Sequence, residues 1–170
     1  MEAYESQLRA IAPQLSFGYQ TIRICRPEEL RSTQVGYAVG TESQSLIGDK
    51  NGDWLGNWVV IGHEEQCGDP IFIDKSEPNF PVYTAMHGEG SWHPVQIAAS
   101  LNGFGKALST IARVARGREN PTALEKNPLP RSERDSALTE IRLHNPKINL
   151  EFWEILLSQL GSSPNCISKL

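Results

Sequence analysis

Three short apolar runs follow one another between Trp58 and Tyr83, and acidic turns separate them. The run from Trp58 to Ile61 is aromatic and β-branched, and similar runs recur at Pro70 to Ile73 and at Phe80 to Tyr83. Runs of this length and composition are typical of buried strands, and the Gly, Pro, Asn and Asp residues between them favour turns. The segment therefore predicts three adjacent antiparallel strands at the core of the domain.

Patterns before this segment predict a helix and further strands. Apolar residues at helical spacing predict a helix from Glu2 to about Ala12, which ends near Pro13. Alternation predicts a strand at Thr21 to Cys25, whereas Gln34 to Val39 is a weaker strand candidate. The segment 41–57 is rich in Gly, Asn and Asp, and it is predicted to be a loop or hairpin tip.

The second half of the chain predicts helices. Val95 to Ala98 is a short strand candidate, and Ser100 is the predicted N-cap of a helix whose glycines at 103 and 105 indicate a close approach to the sheet. Residues 118–130 contain three prolines and predict a surface connection. Ser132 with Asp135 predicts the capped start of a second helix, and residues 149–160 predict a final apolar helix that Gly161 can end. We expect a single α+β domain, with a mainly antiparallel sheet flanked on one side by an N-terminal helix and two or three C-terminal helices.

Composition restricts the class of protein. At 170 residues the chain fits one domain, and no run of eighteen apolar residues or basic leader predicts a membrane span or secretion. The three cysteines, Cys25, Cys67 and Cys166, have no paired spacing, so we expect no disulfide framework and a cytoplasmic location.

Charge is distributed unevenly along the chain. Residues 1–112 contain seven Lys and Arg against thirteen Asp and Glu, whereas residues 113–147 contain eight basic and five acidic residues. The acids are densest between Glu42 and Glu77, where only Lys50 and Lys75 oppose them. Such a surface repels phosphate, so direct binding of nucleic acid is not expected.

Catalytic patterns are weak. His63, His87 and His93 lie near Cys67 and several acids, which are ligand types that zinc accepts, but no paired metal spacing occurs. Cys67 lies among acids that disfavour a thiolate, and neither a nucleophile elbow nor a phosphate loop is present. We therefore expect no enzyme activity, cofactor or metal, and the metal-dependent hydrolase is the least favoured alternative.

The segment from Trp54 to Ala112 resembles the SUKH superfamily. The resemblance is carried by a strand ending in Ile-Gly, by Gly-Asp, by a strand ending in Asp and by Pro-Val-Tyr. It continues through Ile97, Ala98, Ser100, Phe104 and Leu108. The resemblance implies one SUKH-like domain over 1–170, with a sheet-bearing core at 1–112 and a helical C-terminal extension at 113–170.

The same resemblance implies a bacterial immunity protein that binds and neutralises a toxin. The acidic surface would complement the basic cleft of a nuclease, so the expected toxin is a nuclease. A regulatory scaffold, similar to the yeast members of the family, is the alternative. Acids around the predicted strands, together with tryptophans that can anchor a partner, are the predicted binding residues. They are Asp53, Trp54, Glu64, Glu65, Asp69, Asp74, Glu89 and Trp92.

Overall fold

The computed structural model of the chain describes residues 2–86, 88 and 90–158. Within them, six strands form one antiparallel sheet in which each strand pairs with the next in sequence. The strands are β1 (Gln14–Phe17), β2 (Gln20–Ile24), β3 (Trp58–Glu64), β4 (Pro70–Asp74), β5 (Val82–Thr84) and β6 (Val95–Ala98). The predicted meander of β3, β4 and β5 is therefore confirmed.

The described α-helices are α1 (Ala3–Arg9), α2 (Leu30–Thr33), α3 (Leu101–Val114), α4 (Pro121–Lys126), α5 (Arg131–His144) and α6 (Glu151–Ser158), and a 3-10 helix (Pro27–Glu29) precedes α2. Helix α3 contacts both edge strands, β1 and β6, and the sheet curls around it. Helix α5 packs on α3, and α6 packs on α5. The predicted α+β class with helices on one side of the sheet is confirmed.

Side-chain alternation along the strands produces two apolar clusters. Ile71 and Ile73 of β4 point into the large cluster beneath the helices, whereas Phe72 points to the opposite face. Neighbouring residues of a strand point to opposite faces of the sheet, so one strand supplies both clusters. The helix-free face is covered instead by loop residues such as Ala38 and Trp54.

A β-bulge interrupts the pairing of β3 with β4. The register shifts between Val60 and Gly62, which leaves Ile61 as the extra residue and brings His63 opposite Pro70. A Cβ at Gly62 would lie 2.3 Å from the backbone oxygen of Arg23. Only glycine therefore allows β2 to approach the bulge this closely.

A buried asparagine joins α5 to the start of α3. The side-chain oxygen of Asn145 accepts a hydrogen bond from the Ala99 amide at 3.0 Å, and its nitrogen donates to the carbonyls of Gly103 at 3.1 Å and Ile141 at 3.2 Å. A Cβ at Gly103 would lie 2.4 Å from the Asn145 oxygen. Gly103 was predicted to approach the sheet, but it instead makes room for the end of α5.

Several other local predictions were wrong. Gln34–Val39 forms turns and isolated bridges, and Phe80 lies outside β5 because its φ of 51° is incompatible with an extended strand. The connection at 118–130 contains α4, which Asn120 caps, and α5 begins at Arg131 without a side-chain cap.

The predicted Ser100 cap is confirmed, because its hydroxyl oxygen accepts a hydrogen bond from the Gly103 amide at 2.9 Å. Gly161, the predicted end of the last helix, lies outside the described residues.

Candidate protein-binding face

Six aromatic side chains gather on the helix-free face of the sheet, which we call the aromatic face. Trp54 and Phe72 are buried at its centre, with their ring centroids 5.0 Å apart. The other four rings are half-buried around this pair, and the nearest ring-centroid contacts range from 5.0 to 5.8 Å. They are Tyr37, Trp58, Tyr83 and Trp92.

Strand register explains how three of these rings meet. Trp58 lies two residues before Val60, which pairs with Phe72, and Phe72 in turn pairs with Tyr83. Residues two apart on a strand share a face, and directly opposite residues also share one. Trp58 and Tyr83 were not among the predicted binding residues, although the alternation of Trp58 and Val60 contained the signal.

The loops supply the remaining rings. Tyr37 contacts both Trp54 and Trp92, at centroid distances of 5.2 and 5.8 Å. It also contacts His63, which the bulge in β3 turns toward this face, at 5.8 Å. Burial lowers the pKa of His63, so its neutral imidazole packs against the rings.

The two predicted tryptophan anchors have different environments. Trp54 is only 1% exposed, and its indole Nε1 donates to the Trp58 carbonyl at 3.0 Å. It supports the aromatic face from within, and its side chain is not accessible to a partner in this structure. Trp92 is half-buried and contacts Trp54 at 5.1 Å, which leaves part of its ring accessible to a partner.

The acids of the β3–β4 turn also differ. The Glu64 carboxylate accepts bonds from the amides of Gln66 at 2.7 Å and Cys67 at 2.8 Å, and the residue is 1% exposed. Burial raises its pKa despite these bonds. Glu64 therefore stabilises the turn, and its side chain is not accessible to a partner in this structure. Glu65 is exposed and forms an ion pair with Arg23 at 2.6 Å.

Asp69 and Asp53 also lie within turns. Asp69 is buried close to Tyr37. The pKa of the Tyr37 phenol is raised mainly by the burial of Tyr37 and secondly by the charge of Asp69. Asp53 is half-buried, and its Oδ2 accepts a bond from the Lys50 amide at 2.9 Å. The latter bond closes the tight turn that the sequence predicted in this loop.

Asp74 is the predicted acid that lies beside the rings of the aromatic face. It pairs directly with Trp58 across β3 and β4, and therefore lies on the aromatic face. Its Oδ1 accepts from the Ser76 amide at 2.9 Å and hydroxyl at 2.5 Å, and its Oδ2 accepts from Asn57 at 2.7 Å. Partial burial raises the Asp74 pKa, but these bonds outweigh it and the net pKa is lowered. The carboxylate is thus held charged in one orientation.

The other predicted ligands fall partly outside the described residues, and those inside them do not form a metal site. Glu89 and His87 lie outside the described residues. The Nε2 of His93 lies 2.9 Å from the Ser91 hydroxyl, whereas His63 contacts Tyr37. Across the described residues, no group of three or more His, Cys, Asp or Glu side chains is arranged to hold a metal ion.

The cysteines depart from the sequence prediction. Cys67 is disulfide-bonded, whereas the spacing of the cysteines predicted no disulfide framework. Cys25 is a free, buried thiol directly after β2, and burial raises its pKa to about 11. An odd number of cysteines therefore does not exclude one disulfide, and it gives no support for a reducing compartment.

The basic segment 113–147 contributes to the helical layer. Arg118 is buried, and its guanidinium donates to the carbonyls of Val114 at 2.7 Å and Asn127 at 2.8 Å and pairs with Glu133 at 3.2 Å. Arg113 pairs with Glu140 on α5 at 2.5 Å. Part of the positive charge is thus used to join α3, α4 and α5.

None of the helices in the described chain combines the length and apolar character needed to cross a bilayer. Comparisons with protein-family models, curated proteins and solved structures give no match to this chain. The resemblance to the SUKH superfamily therefore stays a prediction.

Proposed function

We propose that this protein acts without catalysis, by binding another protein through its aromatic face and thereby neutralising a bacterial toxin. The observation that carries the proposal is the contrast between the two faces of the sheet. Helices bury one face, whereas the other presents half-buried Trp58, Tyr83 and Trp92 between acidic side chains. Half-buried aromatic residues are the usual anchors of protein interfaces, because they supply large contact areas at low entropic cost.

Charge supports a basic partner. Asp74 and Glu77 lie close enough to Tyr83 on the aromatic face for their charges to raise the pKa of its phenol, after the effect of burial. Complementary charge accelerates encounter and disfavours wrong partners, while the buried aromatic contacts set the dissociation rate. A toxin that cuts nucleic acid needs a basic cleft, and such a cleft complements this face. In this proposal the protein binds the toxin inside the producing cell and blocks its activity.

The test is a titration of the purified protein against a toxin domain encoded beside it. We expect a one-to-one complex by calorimetry and loss of toxin activity at equimolar ratio. Trp92→Ala should weaken the complex at least ~30-fold, as expected for an interface hot spot. The control is Leu143→Ala, because Leu143 is 75% exposed on α5, on the helical side.

Circular dichroism of both variants must match the parent protein, since Trp92 also packs on Trp54. Association should slow as salt increases, because screening weakens steering between exposed charges. A complex that forms equally well with Trp92→Ala would exclude the aromatic face as the interface. Absence of any complex, or inhibition only at large molar excess, would refute neutralisation by stoichiometric binding.

A further inference from the structure

Asp74 lies between two half-buried aromatic rings on the aromatic face. Trp58 is directly opposite it on β3, and Tyr83 is its diagonal neighbour on β5, because Tyr83 pairs with Phe72 two residues earlier on β4. Directly opposite side chains lie about 5 Å apart and diagonal ones about 7–8 Å apart. Asp74 therefore has an aromatic neighbour on each side of it along the aromatic face.

The carboxylate is oriented before any partner binds. Ser76 and Asn57 hold it with three hydrogen bonds, so its direction is fixed. Among the described residues, Asp74 forms no ion pair with Lys, Arg or His. Glu77 is exposed nearby. The pKa of Tyr83 is raised first by burial, then by the charge of Asp74 and then by the charge of Glu77. No cation among the described residues therefore neutralises the negative charge at this site.

We propose that the notch formed by Trp58, Asp74 and Tyr83 receives an arginine side chain from the partner protein. Indole and phenol rings attract a cation over their faces, and a planar guanidinium can stack on them while its N–H groups donate to a carboxylate. Lysine offers only a compact ammonium, which stacks less well. This inference rests on the proposed protein-binding function and identifies the chemistry of its contact.

The test uses short peptides as probes and not the toxin. We expect hexa-arginine to shift the indole NMR signal of Trp58 in a saturable way. Hexa-lysine should bind more weakly, and hexa-citrulline, which keeps the shape but lacks the charge, should produce no saturable shift. Asp74→Asn and Tyr83→Leu should each weaken hexa-arginine binding by about fivefold, the size of one exposed cation–π or charged contact.

The matched control is Glu125→Gln, which removes one exposed carboxylate from α4 on the helical side. Hexa-arginine affinity should be unchanged in this variant. Equal weakening by Asp74→Asn and Glu125→Gln, or equal binding of arginine and citrulline peptides, would overturn the arginine notch. Such a result would leave the toxin titration unaffected, so the inference and the proposed function can fail separately.

Discussion

Replacing Asn145 by alanine tests whether one buried side chain holds the helical layer to the sheet. Asn145 is fully buried, and its amide serves three backbone groups on α3, α5 and the end of β6. Alanine leaves the Ala99 amide without this partner, and an unsatisfied buried donor costs about 1–3 kcal/mol. The two bonds donated to carbonyls each contribute about 0.5–1.5 kcal/mol more. In the alanine variant the Ile141 carbonyl keeps its hydrogen bond from the backbone N–H of residue 145, which is 3.0 Å long in the parent protein.

These values predict that Asn145→Ala lowers the free energy of unfolding by about 3 kcal/mol. Urea denaturation followed by circular dichroism would measure the change as a lower midpoint at constant slope. In a domain of this size the melting temperature should fall by about 6–12 °C. Asn102→Ala is the control, because Asn102 is exposed on α3 and should change stability by less than about 0.5 kcal/mol.

A second substitution sharpens this test. Gly103→Ala places a methyl group 2.4 Å from the Asn145 oxygen in the parent protein, but in the Asn145→Ala background only the His144 carbonyl at 2.9 Å obstructs it. The two substitutions should therefore cost less together than the sum of their separate effects, by about 1 kcal/mol in a double-mutant cycle. If Asn145→Ala unfolds at the parent midpoint, or the two effects simply add, the buried amide does not organise this junction.

Three further predictions concern other contacts. Gly62→Ala forces a methyl group against a β2 carbonyl and should destabilise the protein by about 1–3 kcal/mol in urea titration. Gly56→Ala is the control, because its new methyl group meets ordinary contact distances and should have little effect. Equal effects of the two substitutions would refute the close approach of β2. Cys25, with its pKa raised to about 11, should resist a thiol reagent at pH 8 until the protein is unfolded; rapid labelling of the native protein would show that the thiol is accessible. Trp153→Phe removes the indole bond to the Ile97 carbonyl at 2.8 Å and should lower the unfolding free energy by roughly 1–3 kcal/mol; an unchanged melting temperature would refute a role for this bond in attaching α6.

Patterns within a few residues were predicted well. The β-branched runs of β3 and β4, the short strand β6 and the Ser100 cap depend on neighbours in the chain, so their signals are visible in the sequence. The four-residue strand β1 gave no recognised signal, because an edge strand of this length has too few alternating positions. Helix α4 was missed because the prolines around it indicated a loop, although one of them, Pro121, begins the helix.

The exposure of the predicted binding residues was harder to infer from the sequence, because burial depends on contacts between distant segments. Glu64 looked like a surface acid, yet it folds back onto the amides of its own turn. Trp54 looked like an anchor, yet the loop that carries it closes over Phe72. Asp74 is partly exposed, as predicted, because the residue opposite it is Trp58 of β3 and not a residue of a covering loop.

The sequence by itself determined the antiparallel meander, the α+β class and the concentration of acids between residues 42 and 77. Each of these follows from residue type and local spacing, which act over one turn or one strand. Only the tertiary structure decided which tryptophan is buried, which carboxylates close turns and which rings lie beside Asp74. These outcomes depend on strand register and loop packing, since a one-residue shift in pairing would move every side chain to the opposite face.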